Sequence, residues 1–227
     1  MTDRTNTKGR TGTTERADRR LEDALRRGVS GDRGDSSRAA ADGRLRTRIA
    51  AERLADVMYA PADSPFGPLL LAATSRGLVR VAFPEEDVDS VLERLARRIS
   101  PRIVESQAPL EPIQRALDEY FSGARRSFEL PLDWTLVGPF GRKVLKATAA
   151  IPYGGVLSYG EVAADAGSPR GSRAAGNALG SNPIPIVIPC HRVVRTGGAI
   201  GGYGGGLDRK RWLLELEGAF PGGAPSA

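Results

Sequence analysis

The stretch SYGEVAADAGSPRGSRAAGNALGSNPIPIVIPCHRVV, residues 158–194, decides how the rest of this 227-residue chain is read. Ser158–Tyr159–Gly160–Glu161 is a capping-box pattern: a serine side chain takes the backbone N–H three residues on, and the glutamate there reaches back. It opens a short helix that should stop at Gly167. Ser168 followed by Pro169 is a second start signal, an N-cap with proline at the first helical position. That helix should run to about Leu179, with Gly180 beyond its end. Two short helices joined by a glycine-containing turn form a helix-turn-helix signature. The second helix is basic and small-sided, with Arg170, Arg173, Gly171, Gly176 and three alanines. Side chains that small let a helix lie close to a phosphate backbone or a groove; they equally suit tight packing against another helix.

The strip that follows, Ser181 to Val194, carries Pro183, Pro185 and Pro189, which fix the backbone of a largely apolar segment leading to Cys190 and His191. The chain holds one cysteine and one histidine. That excludes an internal disulfide and a Cys/His zinc cage, which needs about four ligands. Any sulfur chemistry therefore rests on Cys190, and it requires a cation or base nearby. The other reading of Cys190 is a small buried hydrophobe. Neighbouring side chains of an extended segment point to opposite faces, so a direct Cys–His ion pair would need a second histidine. Ordinary cysteine hydrolysis is thereby disfavoured. A turn at Cys190 or a bridging water is the remaining way to couple the pair.

Working outward, Phe140 to Ile151 has helical spacing, with Phe140, Val144, Ala147 and Ile151 as its apolar stripe, and Pro152–Gly155 ends it. A domain covering 137–218 follows from this. Before it, Gly67–Ala73 and Gly77–Phe83 read as strands around a Thr74–Ser75–Arg76 turn. Asp87–Ile99 and Pro109–Phe121 read as helices, and Phe128–Leu132 as a short edge strand. Residues 53–136 thus form a small α/β domain with no obvious chemistry. Residues 1–52 are expected to be a disordered basic leader, in which Arg16–Arg27 could form a transient charged helix, and 219–227 a disordered tail. Residues 171–212 carry six Lys/Arg against one Asp/Glu, a basic surplus that suits a polyanion partner or a solvated face. No apolar run is long enough to cross a bilayer and the N-terminus is polar, so a cytoplasmic protein without a membrane partner is expected.

Pro189–Cys190–His191–Arg192–Val193 resembles the active-site motif of the O6-alkylguanine-DNA alkyltransferases, also called methylated-DNA–protein-cysteine methyltransferases. The resemblance covers roughly residues 57–218 and is strongest from Phe140. Ser158–Tyr159, Ser172–Arg173–Ala174, Gly180–Ser181–Asn182–Pro183, Gly201–Leu207 and Lys210–Gly218 all fall where the family has functional positions. It implies a ribonuclease-H-like N-terminal α/β domain and a mainly α C-terminal domain with a winged-helix-like helix-turn-helix. It implies single-turnover transfer of the alkyl group of O6-alkylguanine, and of O4-alkylthymine, from DNA to Cys190, with no cofactor.

The roles that come with the resemblance are these. His191 is a water-assisted base, Glu217 orients it, and Asn182 braces the active-site turn. Tyr159 donates a proton toward the departing guanine. Arg173 enters the DNA stack from a helix lying in the minor groove, with Ser172, Ala174 and Gly176 beside it. Tyr203, Gly204, Gly205, Pro185, Leu179, Val193 and Lys210 surround the base, and backbone carbonyls near Cys190 and Val193 read the guanine edge. Gly204 stands where the family often has serine, so a hydroxyl contact is lost there. The zinc ligands of some members are missing, so no metal is expected. The protein should act as a monomer, with cooperativity on DNA left open. Two rivals, a non-repairing lesion sensor and a DNA-responsive regulator, are disfavoured by the presence of Cys190 and by the lack of a folded module in the first 50 residues.

Overall fold

The computed structural model describes residues 55–219. The expected leader, with its Arg16–Arg27 helix, lies outside them, as does the tail after Ala219; Ala219 itself is buried and donates its N–H to Leu214.

Three strands, β1 (Val57–Ala62), β2 (Leu69–Thr74) and β3 (Gly77–Ala82), form an antiparallel meander. Helix α1 (Val88–Arg98) then returns the chain so that β4 (Ile103–Glu105) pairs parallel to β1, in the order β3-β2-β1-β4. Asp87 caps α1 by accepting from the Ser90 N–H at 2.9 Å. Alternation along the strands gives the sheet two buried faces. Val57, Ala72, Val79 and Ala82 pack against Val91 and Leu95 of α1. Ala60, Leu71, Leu78 and Val81 face the main core instead. There they meet Ile113, Leu117 and Tyr120 of α2 (Glu111–Phe121).

The second lobe packs three helices on that same core: α3 (Pro139–Ala149), α4 (Tyr159–Asp165) and α5 (Ser172–Gly180). Val144, Leu145, Val162, Ala175 and Leu179 supply their inward faces. The strand pair β5 (Leu157–Ser158) and β6 (Val193–Val194) ties the start of α4 to the exit of the cysteine segment. Helix α6 (Leu207–Leu216) closes the lobe. The lobes are also stitched by backbone: the Val81 N–H donates to the Pro183 carbonyl at 2.9 Å.

Four sequence expectations need correction. Strands β1 and β4 were not foreseen, because Pro61 interrupts one and the other has three residues. Phe128–Leu132 makes no strand; only Leu132 bridges to Leu78. The helix expected to open on an N-cap at Ser168 begins at Ser172, because Ser168–Gly171 closes into a turn through Gly171 N–H to Ser168 carbonyl, and Gly180 is its last residue rather than the one beyond. The cysteine segment is not extended: Cys190–Arg192 is one 3₁₀ turn. No described helix is long and apolar enough to cross a membrane, and no metal-binding group of three or more His/Cys/Asp/Glu occurs among the described residues.

Candidate active site

The loop between α5 and the 3₁₀ turn is folded by one side chain. Asn182 accepts the Ile184 N–H on Oδ1 at 3.0 Å, while its Nδ2 donates to the Ile188 carbonyl at 3.0 Å and lies 3.1 Å from Cys190 Sγ. Between those anchors Ile186 takes a φ of 74°, a costly conformation for a β-branched residue. Proline on either side of the apolar run and the Asn182 bonds hold that strained bend in place. The result is a buried cysteine, 6% exposed, with an amide donor at its sulfur.

The turn puts His191 behind Cys190. Its ring is fully buried, and Nε2 lies 2.9 Å from Glu217 Oε1. Glu217, at the end of α6, is itself buried and receives more than the imidazole. Arg192 donates Nε to Oε2 and an Nη to Oε1, both at 2.9 Å, and its other Nη reaches the Ile151 carbonyl. Tyr120, from α2 of the first lobe, donates its hydroxyl to Oε1 at 2.6 Å. Burial alone would raise the Glu217 pKa, but the His191, Arg192 and Tyr120 hydrogen bonds overcome it and hold the carboxyl down at about 2. An ionised carboxylate only accepts, so Nε2 carries the ring proton and Nδ1 holds the lone pair. Nδ1 is buried with no hydrogen-bond partner.

Burial pushes the Cys190 thiol up to about 11, against the pull of the Asn182 amide and the Lys210 ammonium. It likewise lowers the His191 pKa despite Glu217, and lowers that of Lys210 to about 8. At neutral pH the resting pair is therefore thiol and neutral imidazole. A thiolate has to be made by proton transfer, and the unpaired Nδ1 is the acceptor nearest in chain.

A cavity of about 530 Å³ opens in front of Cys190, with Tyr159, Arg173, Gly176, Leu179, Tyr203 and Gly204 among its walls. A second, of about 390 Å³, meets the sulfur from the side of the first lobe, where Arg80, Phe83, Asn182, Pro185 and Gly205 line it. Of the expected pocket residues, Tyr203, Gly204, Gly205, Pro185 and Leu179 lie in these walls. Val193 and Lys210 lie behind them, both fully buried, and the Val193 carbonyl accepts from Lys210 Nζ at 2.5 Å. Tyr159 donates to the Gly202 carbonyl at 3.2 Å, and burial raises its pKa. Ser172, Arg173 and Ala174 are exposed along the first turn of α5, whose N-terminus lacks a side-chain cap. Gly176 sits against the Tyr159 ring.

Sequence reasoning gave no role to Arg192 or Tyr120, yet both complete the buried cluster. A signal existed for each. An arginine inside an apolar strip needs a carboxylate partner, and a tyrosine on the buried stripe of α2 needs a partner for its hydroxyl. The identity of that partner is a tertiary fact.

The family model for the DNA-binding domain of 6-O-methylguanine DNA methyltransferase matches residues 139–219, and that for its ribonuclease-like domain matches 57–134. The methylated-DNA–protein-cysteine methyltransferase of Methanosarcina acetivorans is 39% identical over 163 residues, 71% of this chain and 98% of the relative. Its namesake in Mycobacterium tuberculosis is 40% identical over 162 residues, 71% of this chain and 92% of the relative. The crystal structure of the M. tuberculosis O6-methylguanine methyltransferase superposes with a TM-score of 0.61 at 38% identity, covering 75% of this chain and 96% of that one. The structure of the M. tuberculosis protein in complex with DNA gives the same TM-score, covering 71% and 92%. Matched by both family models and this similar to relatives over nearly their whole length, the chain belongs to the 6-O-methylguanine DNA methyltransferase family, the methylated-DNA–protein-cysteine methyltransferases.

Proposed function

We propose that this protein repairs DNA by direct reversal, moving the alkyl group from O6 of guanine onto Cys190 in a single, irreversible turnover. The observation that carries the reading is the Cys190–His191 turn itself. The only cysteine of the chain lies at the floor of a cavity, beside an imidazole whose Nε2 is fixed by Glu217 and whose Nδ1 is unpaired.

The chemistry balances as follows. The thiol proton passes to His191 Nδ1 through a water. Sγ forms a bond to the alkyl carbon as the bond from that carbon to O6 breaks. The electron pair leaves with guanine, which takes up a proton from the Tyr159 hydroxyl, and the imidazolium proton replaces it through solvent. The Asn182 amide and the Lys210 charge stabilise the sulfur anion as it forms, in a site where burial strengthens both. The thioether product has no leaving group, so the protein is consumed.

A guanine O6 points into the base pair, and the target nucleotide must be extruded to meet a buried sulfur, at a cost of a few kcal/mol. Arg173, at the rim of the cavity on the exposed turn of α5, fills the vacated stack, with Ser172, Ala174 and the uncapped backbone of that turn against phosphates. Gly176 lets the helix lie shallowly in the minor groove. In this reading the first lobe is ribonuclease-H-like, the second winged-helix-like, and the protein acts as a monomer.

Intact-protein mass spectrometry after mixing with duplex DNA containing O6-methylguanine tests the proposal. The expected result is a gain of one methyl mass, mapped to Cys190 and saturating at one per chain. Cys190→Ala should keep the fold and DNA binding and lose transfer completely. Transfer by that variant, or tight lesion binding without any mass gain in the native chain, defeats the reading.

A further inference from the structure

We propose that Tyr120, contributed by the first lobe, is a positioning residue that sets the basicity of His191 through Glu217; the inference rests on His191 being the base of the transfer.

Three donors converge on one carboxylate oxygen. Glu217 Oε1 takes the Tyr120 hydroxyl at 2.6 Å, an Arg192 Nη at 2.9 Å and the His191 ring at 2.9 Å. A carboxylate oxygen has about two lone-pair sites, so these donors compete for its electron density. Tyr120 makes the shortest of the three bonds. Each donor that draws on Oε1 leaves less charge to stabilise an imidazolium at Nε2. Arg192 is also needed on Oε2, where it anchors the carboxylate, so its share cannot be withdrawn without losing the cluster. Tyr120 has no such second duty toward Glu217. It is wholly buried, and burial first, then the Glu217 charge, raises its phenol so far that it stays protonated and always donates.

The other groups near the imidazole are Arg192 beside it, Lys210 and Glu217 of α6, Cys190 in the same turn and Tyr203 of the glycine loop. Of these only Arg192 donates to the carboxylate, which beyond Tyr120 and the imidazole takes one long bond, from the Gly154 N–H to Oε2 at 3.5 Å. Burial already weakens this base; the Tyr120 hydroxyl, 97 residues away in sequence, draws on its carboxylate partner and holds the base weaker still, neutral and ready to accept a proton.

His191 is the only histidine of the chain, so its ring resonance is unambiguous in a proton NMR titration of the full protein. Tyr120→Phe removes one oxygen and keeps the ring in its core site. We expect the His191 titration midpoint to rise by roughly one pH unit. The acid limb of the transfer rate, measured with free O6-benzylguanine, should move upward with it. A strut between lobes would lower the melting temperature and leave both midpoints in place, and that result overturns the proposal. Should Tyr120→Phe not fold, the chain is made with 3-fluorotyrosine placed at position 120 alone by stop-codon suppression, the other four tyrosines being left as they are. The more acidic phenol at 120 is a stronger donor and should lower the His191 midpoint, and an unmoved midpoint again overturns the proposal. Because the titration needs no alkyl transfer, failure here is distinct from failure of the repair reading.

Discussion

Behind the Cys190–Arg192 turn, the Glu217 carboxylate is tied by His191, two bonds from Arg192 and one from Tyr120, in a region closed to solvent. In front of it, the walls are glycines, Leu179, Tyr203 and two exposed arginines, Arg173 and Arg195, and Tyr159 has one bond to a loop carbonyl. The two sides therefore hold their geometry by different means. The rear is preorganised: apart from the unpaired Nδ1 of His191, its polar groups bond one another before any substrate arrives, so they need not rearrange as charge moves to sulfur. The front is left incompletely bonded, so that a nucleobase and a phosphate backbone can supply what is missing. One implication is that lesions in the rear should damage fold and chemistry together, whereas lesions in the front should separate them.

The largest effect expected on that comparison is at Glu217. Glu217→Gln preserves shape but leaves the buried Arg192 guanidinium without its counter-charge, a loss of about 3–5 kcal/mol in such settings. Chemical denaturation should show that loss alongside a collapse of transfer, since His191 loses the partner that fixes its tautomer. The native protein should reveal the same residue through pH. The Glu217 pKa is depressed from 4.5 to about 2, so its stabilising share is complete above pH 4.5 and drains away as pH falls toward 2. His191, also depressed by burial, adds a loss beginning below its ordinary 6.5. Melting temperature should thus fall in two stages on acidification, and the second, to which Asp133 and exposed carboxylates also contribute, should be smaller in Glu217→Gln. A single-stage profile in the native chain would mean the rear cluster is less tightly coupled than its distances indicate.

The same division governs what could be read from sequence. The front was largely legible because its signals are local. The Ser158–Glu161 capping box is present in both halves, at 2.7 and 3.2 Å, and α4 opens on it as expected. The start of α5 differs by three residues, Ser172 in place of Pro169, and its end by one, since a Ser-Pro pair serves a tight turn as readily as a helix N-cap. Around the cysteine, the three prolines announced a rigid strip, but whether rigid meant extended or turned depends on Asn182, whose bonds span the loop. The rear was legible only in part. Cys190, His191 and Glu217 came from motifs, whereas Tyr120 meets Glu217 through packing of the lobes, which no periodicity encodes. Strand β1 escaped for a related reason: its VMYAPA sequence alternates poorly and is a strand because β2 and β4 pair with it on both sides.

A smaller effect, confined to function, is expected at Arg173. Its side chain is exposed and forms no bond that the fold depends on. Arg173→Ala should leave the melting temperature unchanged and slow repair of O6-methylguanine in duplex DNA by roughly ten- to hundredfold, the worth of a few kcal/mol of stack filling. Reaction with free O6-benzylguanine, which needs no extrusion, should stay close to the native rate. Equal losses on the two substrates would place Arg173 in the chemistry and erase the separation argued for the front.

The finest test lies within two adjacent glycines of the front loop. A Cβ at Gly205 would come within 2.6 Å of the Phe83 ring, which is itself packed against Tyr203 and beneath the Arg209 guanidinium. An aromatic ring held on three sides cannot retreat far, so Gly205→Ala should cost about 1–3 kcal/mol, the range for overpacking a filled site. At Gly204 the nearest atom to an added Cβ is the Gly180 carbonyl oxygen, at an ordinary 3.5 Å, and the backbone is not left-handed. Gly204→Ser should therefore fold with a stability change within about 0.5 kcal/mol. Its hydroxyl would enter the wall shared by both cavities at Cys190, adding a donor where the front has few. If that hydroxyl reaches the base, the reaction with free O6-benzylguanine accelerates at constant melting temperature. If the serine turns to the Gly180 carbonyl instead, the rate stays where it was. Either way the space beside Gly205 is filled by Phe83 of the first lobe and that beside Gly204 is open, so within one cavity wall the tolerance for a side chain changes between consecutive residues.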